Sequence, residues 1–188
     1  MGAPRRGRFY FVGGRLAVDF LNTRPAIAGG PELLEAAEDV RRWARLAGVG
    51  ERAEARGGDV ARLRRFRERL RMLLDGWRRG APRQAEVALV NRYLARAPEV
   101  LELAVLGGRL VGRRRTAGGS LARLPGVVAR SAAELLVDGE PRRYRKCADP
   151  TCGLWFYDDS KAGRRRWCSM QLCGGRAKWR AFARRRKG

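Results

Sequence analysis

Over the first 140 residues, apolar side chains recur mainly every three to four positions, which is the spacing of an amphipathic helix. Four segments follow this pattern, at residues 31–47, 59–79, 82–93 and 125–136, and glycine or proline stands near the ends of each. The second segment is the clearest, because arginines stand opposite one apolar face. That face contains Val60, Leu63, Phe66, Leu70, Leu74 and Trp77. In the third segment, Ala85, Leu89 and Tyr93 share a face. The pattern therefore predicts four helices, with Asp59 capping the second.

Short apolar runs on either side of glycine pairs predict β-hairpins. Residues 8–12 and 15–22 flank Gly13-Gly14, and residues 100–106 and 109–112 flank Gly107-Gly108. A further hairpin is expected from strands at 154–157 and 164–167, joined by a turn at 158–163. The predicted fold class is α+β, with a mostly helical N-terminal domain and a small C-terminal domain. Residues 138–141 are the candidate linker, so we expect domains at 1–138 and 139–188.

The four cysteines form two pairs of equal spacing, Cys147-x4-Cys152 and Cys168-x4-Cys173, and the chain contains no histidine. Two short-spaced pairs separated by about 10–20 residues are typical of a structural zinc site, since each pair folds back as a knuckle. Two disulfides or an iron–sulfur cluster are the alternatives. We favour one Zn²⁺ because we see no secretory leader and cytosolic thiols stay reduced. Four thiolates fill the coordination shell, so the predicted zinc is structural rather than catalytic.

A helix is expected over residues 169–186, which lack proline and follow helical spacing. Leu172, Trp179 and Phe182 share one face of it, which we expect to pack on the hairpin aromatics. A basic stripe flanks that face and contains Arg176, Arg180, Arg184 and Lys187. Knuckle, hairpin and helix in this order are typical of a treble-clef zinc finger.

Two motifs resemble known families. The C-terminal one contains the two cysteine pairs, residues 163–170 (Gly-x-Arg-Arg-Trp-Cys-Ser-Met) and residues 173–178 (Cys-Gly-x-Arg-x-Lys), and it resembles the CGNR zinc finger. Gly175 stands where that family has asparagine. Residues 13–23 resemble the signature of the ABATE domain, with Val18 where leucine is usual. The resemblance covers nearly the whole chain and implies a stress-related transcription regulator, whose finger binds DNA and whose N-terminal domain senses a small molecule.

The charge balance supports a polyanionic partner. The chain carries 42 basic and 19 acidic residues, a formal net charge of +23. Residues 141–188 contain 15 basic and 3 acidic residues, a net charge of +12 in a quarter of the chain. We therefore predict that the finger binds duplex DNA. The predicted contacts are Arg164, Arg165 and Arg166 on the hairpin, and Arg176, Lys178, Arg180 and Arg184 on the helix.

Two other functions are open at this point. Trp155, Phe156, Tyr157 and Trp167 would stack on unpaired bases if exposed, which would make the finger an RNA-binding module. Alternatively, the finger contacts proteins and its charge serves only solubility. A single small finger reads few base pairs, so a homodimer formed through the helical domain is also expected.

The polar residues Asp19, Asn22 and Thr23 interrupt an apolar stretch, and we identify them as candidate ligands for a small-molecule effector. The competing interpretation is structural, with Asn22 and Thr23 capping a turn and Asp19 bound to a backbone amide or an arginine.

No enzyme is predicted, because the chain has no Walker loop, and without histidine most general-base arrangements are closed to it. No apolar run approaches the ~20 residues that span a bilayer, so we expect a cytoplasmic protein without a membrane partner.

Overall fold

The computed structural model describes residues 3–49, 57–116 and 123–186. Its elements are, in chain order, β1 (Arg5–Arg6), β2 (Phe9–Tyr10), α1 (Leu16–Leu21), α2 (Ala37–Leu46), α3 (Gly57–Arg78), α4 (Gln84–Ala95), β3 (Glu99–Leu106), β4 (Arg109–Thr116), α5 (Leu124–Asp138), β5 (Tyr144–Lys146), β6 (Trp155–Tyr157) and α6 (Gly175–Arg185). A 3₁₀ turn at Pro141–Arg143 precedes β5, and a π-helical turn at Met170–Gly174 leads into α6. The strands pair as antiparallel hairpins β1–β2, β3–β4 and β5–β6. The α+β class, mostly helical with short hairpins, is confirmed.

The main hydrophobic core lies around α1, which packs against α3, α5 and β6. Phe20 is fully buried, and its ring meets that of Trp43 edge-on with centroids 5.4 Å apart. On α3, the predicted apolar face is buried from Val60 through Leu74. The ring of Phe66, on α3, also contacts the ring of Tyr93 on α4, with centroids 4.4 Å apart. Removing these side chains from water supplies most of the stabilisation of the N-terminal part.

The strand predicted at residues 15–22 is wrong, because this stretch forms helix α1. A short apolar run cannot be assigned to a strand or a buried helix from its periodicity alone. Ala17, Val18, Phe20 and Leu21 are all buried, so the run faces the core on more than one side. The predicted first strand is partly correct, since β2 lies within residues 8–12, but it pairs with β1.

The helices at residues 59–79, 82–93 and 125–136 are confirmed as α3, α4 and α5, with shifted ends. The helix predicted from residue 31 begins only at Ala37, because the Asp39 carboxylate accepts the backbone N–H of Ala36 at 2.9 Å and fixes the start there. On α4 the predicted face is partly correct, since Leu89 and Tyr93 pack against the core. Ala85 is exposed, and the buried positions are Glu86 and Val90.

The hairpin predicted around Gly107-Gly108 is confirmed as β3 and β4, each eight residues long. Both glycines have positive φ angles, 56° and 77°, which a two-residue hairpin turn of this kind requires. Leu103 and Leu110 remain largely exposed on this hairpin, at 72% and 74%.

The segment predicted as a linker, residues 138–141, is held in place by its surroundings. Helix α5 extends through Asp138, and the backbone N–H of Glu140 donates to the Tyr157 hydroxyl at 3.0 Å. Tyr144 and Tyr157, from the C-terminal segment, belong to the main core. The boundary between residues 138 and 139 stays a prediction, but the two segments pack directly on each other. None of the described helices is both long and apolar enough to cross a bilayer.

Candidate metal centre and its basic surroundings

The first cysteine pair lies in the loop between β5 and β6. These strands pair with Tyr144 opposite Tyr157 and Lys146 opposite Trp155. The backbone N–H of Cys147 donates to Leu154 O at 2.9 Å, which closes the loop into a knuckle. Within the loop, the Asp149 carboxylate accepts hydrogen bonds from the N–H and hydroxyl of Thr151 at 3.1 and 2.9 Å. The local fold thus follows from an Asp-x-Thr turn, which orients both thiols inward.

The strand predicted at residues 164–167 does not form, and β6 pairs with β5 instead. The reason lies at Asp158, whose carboxylate accepts the backbone N–H groups of Ser160 and Arg165 at 3.0 and 2.8 Å. These bonds fix a turn directly after β6, and the backbone carbonyl of Arg166 then accepts the N–H of Ala148 in the first knuckle at 2.9 Å. Burial alone would raise the pKa of Asp158, but the bonds from Ser160 and Arg165 lower it below its usual value. The turn therefore keeps its carboxylate ionised at neutral pH.

The second cysteine pair lies at the start of the C-terminal helix, as predicted. The Ser169 hydroxyl accepts the N–H groups of Gln171 and Leu172 at 3.1 and 3.4 Å, which caps the π-helical turn. The N–H of Cys173 donates to Ser169 O at 2.9 Å. This cap directs the Cys173 thiol back toward Cys168.

All four thiols meet at one buried point, where their Sγ atoms lie within 4.8 Å of one another. Cys168 Sγ is 3.7 Å from Cys152 Sγ and 3.5 Å from Cys173 Sγ. Zn–S bonds of about 2.3 Å in a tetrahedron separate neighbouring sulfurs by about 3.8 Å, so this spacing fits one zinc ion. The cysteines are free thiols at separations far above a disulfide bond length of about 2.05 Å. The convergence of all four sulfurs on one point favours a single metal site over two separate disulfides.

The electrostatics of the cluster also call for a cation. Hydrogen bonds from Cys152 and Cys168 lower the pKa of the Cys147 thiol well below its ordinary value. The corresponding bonds to Cys147 and Cys152 raise the pKa of the Cys168 thiol. Sulfurs this close cannot all ionise unless a positive charge lies between them, and Zn²⁺ supplies that charge. A filled shell of four thiolates leaves no open position, so the ion would hold the fold.

Groups outside the cluster support the sulfurs. The N–H of Cys168 lies 3.4 Å from Cys147 Sγ, and an Arg176 guanidinium nitrogen lies 3.0 Å from Cys173 Sγ. Arg176 Nε also pairs with Asp149 at 3.3 Å, and Arg180 pairs with the same carboxylate at 2.9 Å. Burial would raise the pKa of Asp149, but bonds from Thr151 and Arg180 lower it. Asp149 thus ties helix α6 to the first knuckle.

The predicted duplex contacts therefore separate into two groups. Arg165 is internal: its guanidinium donates to Trp167 O at 2.9 Å and to Cys168 O, and it lies 4.4 Å from the centre of the Phe156 ring. Arg176 and Arg180 hold Asp149, although their side chains keep 54% and 34% exposure. The remaining predicted contacts with described side chains are exposed, and these are Arg164, Arg166 and Lys178. The Arg184 side chain and Lys187 lie outside the described residues.

The expected packing of the α6 aromatics is wrong. Trp179 and Phe182 are 70% and 57% exposed, and only Leu172 packs against the cysteine cluster. The apolar neighbours of the cysteines are Val12, Leu154 and Phe156 instead. Helix α6 is attached to Asp149 through Arg176 and Arg180, and both aromatic rings remain largely exposed.

The three candidate effector ligands all have partners within the protein. Asp19 Oδ1 accepts the N–H of Gly13 at 2.7 Å. Burial raises the pKa of Asp19 to about 7. Asn22 makes a pair of hydrogen bonds to the N–H and C=O of Trp155, each 2.9 Å long. Thr23 donates to Phe20 O at 2.7 Å and accepts from Arg67 at 2.9 Å. Asp19 thus binds a backbone amide and Thr23 binds a carbonyl of the preceding turn. The Asn22 side chain does not cap a turn; it joins the N-terminal segment to the finger.

Sequence reasoning missed two buried polar groups. Asp149 organises the metal centre, and the Asp-Pro-Thr sequence within the first cysteine pair was the available signal for such a turn. Arg67 is completely buried on α3, where it forms an ion pair with Glu32 at 2.5 Å. Nothing in the helical pattern separates Arg67 from the exposed arginines beside it, so no local signal existed.

Comparison with known proteins agrees with this architecture. Residues 14–139 match the model of the ABATE family, described as "Putative stress-induced transcription regulator". Residues 143–186 match the CGNR zinc finger. No curated protein matches the chain.

Proposed function

Because the chain belongs to the ABATE family and carries a C-terminal CGNR zinc finger, we propose that it is a transcription regulator that binds duplex DNA through a zinc-dependent finger. The observation that carries this proposal is the combination of 15 basic residues against 3 acidic ones in residues 141–188 with a four-thiol centre fixed to helix α6. The metal would set the position of a strongly positive helix. We assign the protein to the cytoplasm, at the nucleoid when bound.

Within this proposal, Arg164, Arg166 and Lys178 make the principal contacts with the duplex, since they are exposed. Arg176 and Arg180 add phosphate contacts only through the part of each side chain that Asp149 leaves exposed. Arg165 supports the finger from within, and Arg184 is assigned from its helical position alone. Phosphate contacts of this kind position a protein on DNA without reading its sequence.

The proposal is tested by titrating a duplex at several salt concentrations. We expect the logarithm of the affinity to fall linearly with that of the salt concentration, with a slope for several released phosphates. Lys178→Gln and Arg164→Gln should each weaken binding several-fold and reduce the slope by about one. Arg92→Gln, at an exposed position on α4, is the matched control and should leave both unchanged. A flat salt response in the parent protein would reject duplex binding.

Effector sensing by the N-terminal domain belongs to the same proposal. Since Asp19, Asn22 and Thr23 are engaged in internal hydrogen bonds, a ligand at these residues would have to replace existing partners. We therefore propose that the effector binds in an open cavity elsewhere in the protein and not at Asp19, Asn22 and Thr23.

We also propose that the regulator is a homodimer, with the β3–β4 hairpin as contact surface for a second copy. Leu101, Leu103, Val105 and Leu110 are 65–74% exposed there, which is unusual for a soluble monomer. Light scattering should return a dimer, and Leu103→Lys should give a monomer. Met72→Lys, at a partly exposed site on α3, should leave the mass unchanged.

The second candidate function is protein contact through α6, favoured by the exposure of Trp179 and Phe182. Recognition of unpaired RNA bases has less support, because Phe156 and Tyr157 are buried and Trp155 stacks on Tyr144 at 4.7 Å. If Trp179→Ala leaves duplex affinity unchanged while Lys178→Gln lowers it, the aromatic face serves another partner.

A further inference from the structure

An open cavity of about 640 Å³ lies where the end of α3 meets β5 and the loop at residues 164–167. Six basic side chains line it: Arg78, Arg142, Arg145, Lys146, Arg165 and Arg166. No carboxylate stands among the described residues that line the cavity. A concave surface with one sign of charge concentrates the field of that charge and attracts counter-ions.

Three of these cations already have partners. Arg142 pairs with Glu140 at 2.6 Å, and Arg145 lies 3.6 Å from Asp158. Arg165 is used inside the finger, where it donates to Trp167 O. The charge available to a ligand therefore comes from Arg78, Lys146 and Arg166, which form no ion pair within the described part of the chain.

Arg78 lies close to a stacked aromatic pair. Its guanidinium lies 5.5 Å from the centre of the Trp155 ring, and that ring stacks on Tyr144 with centroids 4.7 Å apart. A guanidinium above an aromatic ring is attracted to the ring and can still donate its N–H groups to a ligand. Those groups match the spacing of two oxygens of a phosphate, so Arg78 is prepared for bidentate binding.

The cavity joins the two family segments of the chain. Arg78 belongs to the ABATE match, whereas Lys146 and Arg166 belong to the finger match. A ligand bound by all three would contact both segments at once, and its volume could be that of a nucleotide. Cations from two segments, with no carboxylate among the described residues that line the cavity, favour an anion of charge −2 or more.

We propose that this cavity is a binding site for phosphate groups, held by Arg78, Lys146 and Arg166, and that its occupancy links the helical domain to the finger. The phosphate comes either from the duplex backbone or from a free phosphorylated effector. In the first case the site extends the DNA surface beyond the finger. In the second it is the effector site of the proposed regulator. Only the first case rests on duplex binding.

The test uses the full-length, zinc-loaded protein and two pairs of matched variants. Arg78→Gln and Lys146→Gln each remove a cation from the cavity. Arg79→Gln and Lys161→Gln remove the same charges from exposed positions that do not line it. Inorganic pyrophosphate binding is measured by calorimetry, and duplex affinity is measured separately at three salt concentrations. Circular dichroism verifies that each variant is folded.

We expect the two cavity variants to lose at least ten-fold in affinity for one of the two probes, while their controls stay within two-fold of the parent. Loss for pyrophosphate alone identifies a free phosphorylated ligand. Loss for the duplex, with a salt slope reduced by about one per variant, identifies backbone phosphate. If cavity and control variants are indistinguishable with both probes, the site does not exist. That result would not affect the proposal that the finger binds duplex DNA. Conversely, a duplex affinity that does not depend on zinc would contradict the proposed function, but the pyrophosphate measurement would still test the cavity.

Discussion

The N-terminal domain and the finger are stabilised in different ways. In the first, large side chains such as Phe20, Phe66 and Trp43 are fully buried against one another. In the second, the buried apolar residues around the cysteines are, among those the structure describes, Val12, Leu154 and Phe156, and Val12 comes from the N-terminal segment. Hydrogen bonds that the Asp149 and Asp158 carboxylates accept from backbone N–H groups complete it. A domain this small cannot bury enough apolar surface to fold alone, so metal and the neighbouring domain supply the difference.

The largest effect is expected from removing one metal ligand. Cys168→Ser should abolish stoichiometric zinc binding, because structural zinc contributes about 10–16 kcal/mol of apparent binding free energy and needs all four thiolates. The helical signal of the N-terminal domain should largely remain. Zinc content and circular dichroism measure both effects. Met170→Leu, at an exposed neighbouring position, is the control, and a Cys168→Ser protein that keeps one zinc per chain would contradict the account.

A smaller effect is expected from the helical core. Leu70→Ala on α3 removes a side chain that is 1% exposed, which should lower the free energy of unfolding by about 2–5 kcal/mol. Met72→Ala on the same helix, at 41% exposure, should cost much less. Urea denaturation of the zinc-loaded protein measures both. Equal effects would show that α3 does not form the core described.

The contact between the two regions comes next. Asn22→Ala removes both hydrogen bonds to Trp155 and leaves buried backbone groups unpaired, at a cost of about 2–4 kcal/mol. Because the bonds join the regions, the variant should also release zinc faster to a chelator. Asn91→Ala, at an exposed position on α4, should change neither quantity. Unchanged zinc release with lowered stability would confine the role of Asn22 to the helical domain.

The smallest expected effect is a change in how the free energy of unfolding depends on pH. Burial raises the pKa of Asp19 to about 7 from an ordinary value of 3.8. Between these values the folded chain holds a proton that the unfolded chain has lost, so this group's contribution to stability falls as the pH rises through that range. Asp19→Asn should therefore flatten the decline between pH 5 and pH 8 in denaturant unfolding. The same exchange at exposed Asp138 is the control, and an unaltered slope in Asp19→Asn would remove Asp19 as the cause.

The sequence predicted the metal centre more accurately than the surfaces around it. Cysteine spacing constrains four thiols directly, and all four meet in the structure. Helices α3 and α5 were predictable because their helical pattern of apolar residues repeats over several turns. The pattern of residues 15–22 predicts a strand wrongly, because an apolar run this short does not distinguish the two-residue period of a strand from the 3.6-residue period of a helix.

The strand that pairs with β6 and the roles of the arginines could not be predicted from the local sequence pattern. The turn at Asp158 depends on two backbone hydrogen bonds that no spacing reveals, and β6 pairs with β5 rather than with residues 164–167. In α6, equal spacing predicted one basic stripe, yet Arg176 and Arg180 are drawn to a single carboxylate. The apolar face that contains Trp179 predicts burial of this side chain, but helix α6 is held by the contacts of Arg176 and Arg180 with Asp149 instead.

The central claim is that zinc organises a duplex-binding finger that packs against the helical domain. Its most direct test follows duplex affinity and zinc content together, first in the purified protein, then after chelation and after zinc is restored. We predict about one zinc per chain, loss of duplex binding on chelation, recovery with zinc, and a helical signal from the N-terminal domain throughout. Duplex binding that is absent, or that persists after the zinc has been removed, would contradict the claim.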